Sequence, residues 1–213
     1  MVIKMSDRYL TVAKEARIQI KVKDSKFIAT VAPVTTEEEA LAFIEKISKE
    51  FHDATHNVSA FKVGMGDQAI KRYDDDGEPA GSSGPPVLQA IDGAGLTNTA
   101  VVVTRYFGGT KLGYGGLVRA YGDAAQAGLK EAGVREKVQY LLVKIEVSYD
   151  RMGSVVKEIQ GGISEIRDIQ YSNDGVAIFV DLLPSYLESF KKKMVDVTRG
   201  KAKVTVEEEE FRG

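Results

Sequence analysis

Apolar and polar positions alternate in the first legible stretch of the chain. Residues 16–23, ARIQIKVK, place Ile18, Ile20 and Val22 on one side of an extended backbone and Arg17, Gln19 and Lys21 on the other, the period of a half-buried strand. Asp24 and Ser25 offer a turn into KFIATVAPV, so the pattern predicts a β-hairpin. The period then lengthens. In TEEEALAFIEKISKEF, Thr36 and Glu39 form a capping box, and Leu41, Ile44 and Ile47 recur on one helical face. NVSAFKVG at 57–64 alternates again as a strand, and IKRYDDDGEPAGSSGPP reads as a polar loop whose prolines open a short helix, PPVLQAIDG.

The β-branched run of TAVVVTRYFGG predicts a buried central strand, bounded by Asn98 and by Gly108 and Gly109. LVRAYGDAAQAGLKEAG follows with Leu117, Tyr121, Ala124 and Leu129 at near-helical spacing, and Gly133 stands where a helix stop belongs. The rest reads strand, helix, strand, strand, helix, strand, with SNDG joining the middle pair and Pro184 opening the last helix. That order is the ferredoxin-like split βαβ pattern. The expected fold class is α+β with two domains, residues 1–138 and 139–213, divided near Arg135 to Gln139.

Composition narrows the chemistry. With no cysteine among 213 residues, disulfides, thiolate zinc sites and cysteine nucleophiles are excluded. No run of about 18 apolar residues occurs and the N-terminus lacks the apolar centre of a signal peptide, so a cytoplasmic protein with no membrane partner is expected. The first 138 residues carry 18 Lys and Arg against 18 Asp and Glu, and the rest 11 against 13, so neither part is a basic block. Nucleic-acid binding would need a local patch.

The local patch has a candidate. Eleven of the 21 glycines lie between Gly77 and Gly122, and between Gly93 and Gly122 the only charges are Arg105, Lys111 and Arg119. Gly108, Gly109, Gly113, Gly115 and Gly116 can expose several N–H groups in one concavity beside a helix N-terminus, a setting for an anion. The known phosphate signatures fail: Gly108 and Gly113 have the Walker separation, but Tyr114 stands in the lysine position, and Val118 breaks a G-x-G-x-x-G reading. The glycines can equally serve tight turns and packing.

Asp74, Asp75, Asp76 and Glu78 form an acidic turn that can hold Mg²⁺ or Ca²⁺, or pair with Arg105, Lys111 or Arg119 across a groove; the pairing is favoured because Arg72 and a missing later Glu spoil an EF-hand reading. His52 and His56 in HDATH imitate a zinc motif, yet the helix is expected to end near Phe51, which separates the two imidazoles. No metal and no cofactor is therefore called for. Ser82 and Ser83 in AGSSGPP do not form a nucleophile elbow, and the lysines at 191–193 and glutamates at 207–210 read as solvated residues.

Taken together, DATHNVSAF, DDDGEPAGSSGPPVL and LTNTAVVVTRYFGGTKLGYGGLVRAY closely resemble the signature of the Impact family, including its bacterial YigZ-type members. The likeness spans about residues 16–130, and the remainder resembles the smaller C-terminal domain of the bacterial proteins, similar to those at the end of elongation factor G. The resemblance implies a ribosomal protein S-five domain 2-like fold for the N-terminal domain, with a left-handed βαβ arrangement. It also implies a role around translation, since eukaryotic Impact proteins restrain a stress-activated initiation-factor kinase by competing for its activator. The RWD domain of the eukaryotic proteins is not expected here, so their partner competition does not simply carry over; Val58 stands where many relatives have cysteine, and Tyr114 where a small residue is common.

The expected function is a non-enzymatic, translation-associated binding protein. Its site would comprise His56, Asp75, Asp76, Glu78, Arg105, Gly108, Gly109, Lys111, Gly113, Gly115, Gly116 and Arg119, meeting RNA, the ribosome, a translation factor or another anionic ligand, with Tyr106 and Phe107 either as stacking or hot-spot contacts or, equally, as core residues. The alternative is an enzyme acting on a phosphorylated or nucleotide-like small molecule with Mg²⁺.

Overall fold

A computed structural model describes residues 7–162 and 164–213. The chain divides into two compact units: residues 10–136, and residues 137–213 together with the described residues before Leu10. It is an α+β fold with two five-stranded sheets. The first strand, β1 (Arg8–Val12), crosses the division; in the larger unit follow β2 (Ala16–Val22), β3 (Ser25–Pro33), α1 (Glu37–Glu50), β4 (His56–Val63), β5 (Ile70–Asp74), α2 (Gly84–Gly93), β6 (Thr99–Tyr106) and α3 (Tyr114–Ala132).

The sheet of this unit has the order β2-β3-β6-β4-β5 with every pairing antiparallel. β6 is buried on both faces, as its unbroken β-branched run requires. One of its faces packs on α1, through Phe43, Ile47, Phe61, Ala100 and Val102. Its other face packs on α2 and α3, through Phe27, Val58, Val87, Ile91, Val101, Val103, Leu117 and Tyr121. Gly128 makes the second contact close, since a methyl group there would stand 2.8 Å from a Val31 side-chain carbon.

The β2–β3 hairpin and the Thr36 cap form as the pattern predicts, with the Glu39 amide donating to Thr36 Oγ1 at 3.2 Å. The buried face of α1 is Ala40, Phe43 and Ile47, whereas Leu41 is exposed, because only one sheet face covers the helix. Ile70–Asp74 is a strand where a polar loop is expected. All five residues are exposed at the sheet edge, so neither face imposes alternation; backbone pairing to β4 holds them, with ion pairs from Arg72 to Glu37 and from Lys71 to Asp92.

In the smaller unit β7 (Val134–Val147) enters from the larger one, followed by α4 (Tyr149–Gln160), β8 (Glu165–Ser172), β9 (Gly175–Leu182), α5 (Leu187–Thr198) and β10 (Lys203–Arg212). Strands stand in the order β10-β7-β9-β8, all antiparallel, which is the ferredoxin-like arrangement, and β1 adjoins β7. Val143, Ile145, Ile178 and Val180 pack against Val155, Ile159, Phe190 and Met194 of the two helices. Pro184 opens a 3₁₀ turn, Pro184–Tyr186, that leads into α5. β7 begins at Val134, so the chain runs as continuous strand through the boundary expected near Arg135 to Gln139.

Candidate functional site

Cross-strand register assembles the site. Arg105 near the end of β6 lies opposite Phe27 of β3 and His56 of β4, and directly opposed residues of antiparallel strands share a face. That face is the one covered by α2 and α3. A cationic side chain is thereby carried to the edge of an apolar core, where it needs a partner to remain charged.

Glu78 is the partner. Arg105 Nη1 donates to Glu78 Oε1 at 2.6 Å, with the two side chains 6% and 4% exposed. The Tyr121 hydroxyl of α3 donates to the same oxygen at 2.8 Å. Burial, reinforced by that hydrogen bond to Glu78, pushes the Tyr121 phenol far above its usual range, so it stays a donor. Arg105 Nη2 reaches Ser25 Oγ at 3.4 Å, and Ser25 Oγ accepts the Gly108 amide at 3.2 Å. One buried ion pair thus ties the acidic turn, the sheet, α3 and the glycine loop together. Arg105 lies 5.5 Å from the Phe27 ring centre and 5.4 Å from that of Phe107. Its Nε is buried and has no hydrogen-bond partner among the described residues.

The other acids of the turn serve the turn itself. Asp75 Oδ1 accepts from the Ser83 hydroxyl at 2.6 Å and the Gly84 and Ser83 amides at 2.8 and 3.1 Å, while Oδ2 accepts the Gly81 amide at 2.8 Å. Partial burial works against its charge, but the Ser83 hydroxyl and these amides outweigh it and hold the carboxyl below its ordinary range. Asp76, at φ 45°, accepts the Asn57 amide on Oδ2 at 2.5 Å, and its carbonyl accepts from His56 Nδ1 at 2.7 Å. That bond fixes the imidazole, with Nε2 at 3.8 Å from Glu78 Oε1. No group of three or more possible metal-ligating side chains occurs among the described residues.

A cleft of ≈ 420 Å³ opens over this assembly. Arg105, Glu78 and His56 form one side; Lys111, Gly113 and Tyr114 form the rim, and Phe107 and Leu117 add apolar wall. Gly113 holds φ 73° at the start of α3, a left-handed conformation that glycine adopts without strain, and no side chain caps that helix end. Its first amides are left without intrahelical acceptors and carry the positive end of a 19-residue helix dipole.

Five expected site residues therefore meet in one place: His56, Glu78, Arg105, Lys111 and Gly113. Asp75, Asp76, Gly108, Gly109, Gly115, Gly116 and Arg119 do not line the cleft. Gly108 is a packing residue, since a Cβ there would stand 2.0 Å from the Asp24 carbonyl carbon. Of the expected alternative partners of the acidic turn, Arg105, Lys111 or Arg119, Arg105 is the one that pairs; among the described residues Lys111 and Arg119 have no ion-pair partner. Asp92, the only charged residue from Pro79 to Thr104, pairs with Lys62 and Lys71 at 2.8 and 2.7 Å. α1 ends at Glu50, before both His52 and His56, so the two imidazoles share no helical face, as expected. Thr55, Pro79 and Leu112 line the cleft although the sequence pointed to none of them, and Leu117, expected only on the helix face, joins them; of these only Thr55 carries a polar signal, a hydroxyl that accepts the Phe107 amide at 3.0 Å.

Residues 23–129 match the family model described as the Impact N-terminal domain, which contains the whole cleft. The chain belongs to the Impact family. The IMPACT family member YvyE of Bacillus subtilis (strain 168) is 36% identical over 200 residues, 94% of this chain and 91% of that one. The IMPACT family member YigZ of Escherichia coli (strain K12) is 30% identical over 204 residues, 95% of this chain and 100% of that one. A crystal structure of a hypothetical protein superposes with a TM-score of 0.65 at 30% identity, covering 95% of this chain and 98% of that chain. Both units are thus within the likeness to Impact relatives, while the family model spans the cleft-bearing one.

Proposed function

We propose that this Impact protein is a translation-associated binding protein that uses the cleft of its larger unit to hold an anionic group, on RNA, the ribosome or an acidic protein surface. One observation carries the reading. Lys111, free of any ion pair among the described residues, stands at the rim of a cleft whose wall is the buried Arg105 and whose edge is the uncapped start of α3. Glu78 is already neutralised by Arg105. A negative ligand would therefore meet Lys111 and the α3 amides without facing an uncompensated carboxylate.

The translation context rests on family membership and on the role the family resemblance implies for eukaryotic Impact proteins. The alternative, an enzyme that holds Mg²⁺ on the acidic turn, has weaker support, because both oxygens of Asp75 are occupied by N–H and O–H donors of its own loop. Co-sedimentation of the protein with ribosomes across a salt series tests the proposal. Binding that weakens with salt and falls in Lys111→Glu is expected; salt-independent association, unaffected by the substitution, contradicts it.

A further inference from the structure

We infer that the cleft receives one unpaired nucleotide of a single strand, its phosphate at the start of α3 beside Lys111 and its base against Phe107. The inference rests on the anion-binding reading above and specifies what else the ligand must carry.

Three features beyond the helix end point to a nucleotide. First, Arg105 is 5% exposed and lines the cleft, its guanidinium fixed in the wall by Glu78 and Ser25. Second, Phe107 and Tyr114 are 45% and 58% exposed and line the same cleft. Phe107 is not a loose side chain. Its amide is held by Thr55 Oγ1, and Arg105 packs 5.4 Å from its ring centre, which leaves ring surface available to a flat partner. Third, ≈ 420 Å³ is far more room than a lone phosphate or carboxylate occupies and is within the range of small-molecule sites.

These features select between macromolecules. An acidic peptide supplies carboxylates but no flat π-face for Phe107, and a duplex hides its base faces within the stack. An unpaired nucleotide supplies both a phosphate and an exposed base, and base–aromatic stacking tolerates any sequence. A neutral overall charge balance agrees with a single-nucleotide pocket rather than an extended electrostatic track. RNA and DNA share this chemistry, and the translation-associated reading selects RNA.

The absence of tryptophan makes a direct test possible. In Phe107→Trp the only indole sits in the cleft, and a six-nucleotide single-stranded RNA should quench it, with an abasic oligomer of equal length leaving it unquenched. In a separate anisotropy titration of the same labelled RNA, Phe107→Leu should weaken binding at least about fivefold, and Lys111→Glu about tenfold or more. Thermal melting of each variant excludes misfolding, and Tyr114→Ser provides a second substitution at a residue exposed on the rim. RNA binding that depends on Lys111 but is unchanged by Phe107→Leu, with no quenching, overturns the nucleotide assignment and leaves the anion site standing. Binding indifferent to both substitutions overturns the two together. Equal competition by oligoglutamate moves the ligand to an acidic protein, and preference for a DNA oligomer overturns RNA as the source.

Discussion

Arg105 of β6 and Glu78 of the acidic turn meet through a 2.6 Å hydrogen-bonded ion pair from which water is almost entirely excluded. The pair has structural consequences first. Removing one partner of a buried ion pair strands the other charge, which typically costs about 3–5 kcal/mol. Glu78→Ala should therefore be strongly destabilised in urea unfolding. Glu78→Gln, whose amide oxygen can still accept from Arg105 and Tyr121, should lose less. Equal stability of Glu78→Ala and the natural protein would show that the pair is not buried in solution.

Tyr121 offers a smaller, separable effect. Its hydroxyl is a donor whose deletion leaves Glu78 with Arg105 still in place. Tyr121→Phe should cost about 1–2 kcal/mol in the same measurement, well short of Glu78→Ala.

Asp75 predicts a response to acid. Its carboxyl is held below the ordinary carboxylate range in the folded chain by the Ser83 hydroxyl and three amides, against the opposing effect of burial. A carboxyl depressed on folding contributes stability that is present above its unfolded value, about 4, and is lost as pH falls through the lower folded value. The natural protein should lose this contribution as acid protonates Asp75. Asp75→Asn should be less stable at neutral pH and should lose less stability on acidification to about pH 3. Parallel melting curves of the two proteins across that range would contradict the assignment.

The glycines separate into kinds that stability measurements can distinguish. Gly108→Ala places a Cβ 2.0 Å from the Asp24 carbonyl carbon, a backbone atom that cannot swing aside, and should cost about 3 kcal/mol or more. Gly115→Ala meets no atom within 4 Å and lies in the first turn of α3, so it should be neutral or stabilising by up to about 1 kcal/mol. Thermal unfolding of the two variants should therefore move in opposite directions or differ by many degrees.

In the sequence those two glycines are indistinguishable, and the difference shows where sequence reading runs out. Local devices were legible: the alternation of Ile18, Ile20 and Val22, the Thr36 cap, the β-branched run of β6 and the Gly133 stop all form as their chemistry dictates. β5 was not, because five residues exposed at a sheet edge carry no burial pattern. Nor could the chain alone show that Glu78 chooses Arg105 over Lys111 and Arg119. The choice depends on register, which sets Arg105 opposite His56 and Phe27, and on packing that brings Tyr121 to Glu78 from 43 positions away. Arg119, three charges into the same motif, lies exposed on α3 outside the cleft. Its cationic character was plain in the sequence, and its position was not.

Arg119 supplies the matched control for the central claim that the cleft, and not the general charge of the surface, binds an anion. Fluorescence anisotropy of a labelled single-stranded RNA should be measured with the natural protein, Lys111→Glu and Arg119→Glu at several salt concentrations, since both substitutions change the net charge equally. The account predicts about a tenfold or greater loss of affinity and a shallower salt slope for Lys111→Glu, with Arg119→Glu within about twofold of the natural protein. Equal losses in the two variants, or no loss in Lys111→Glu, would contradict it.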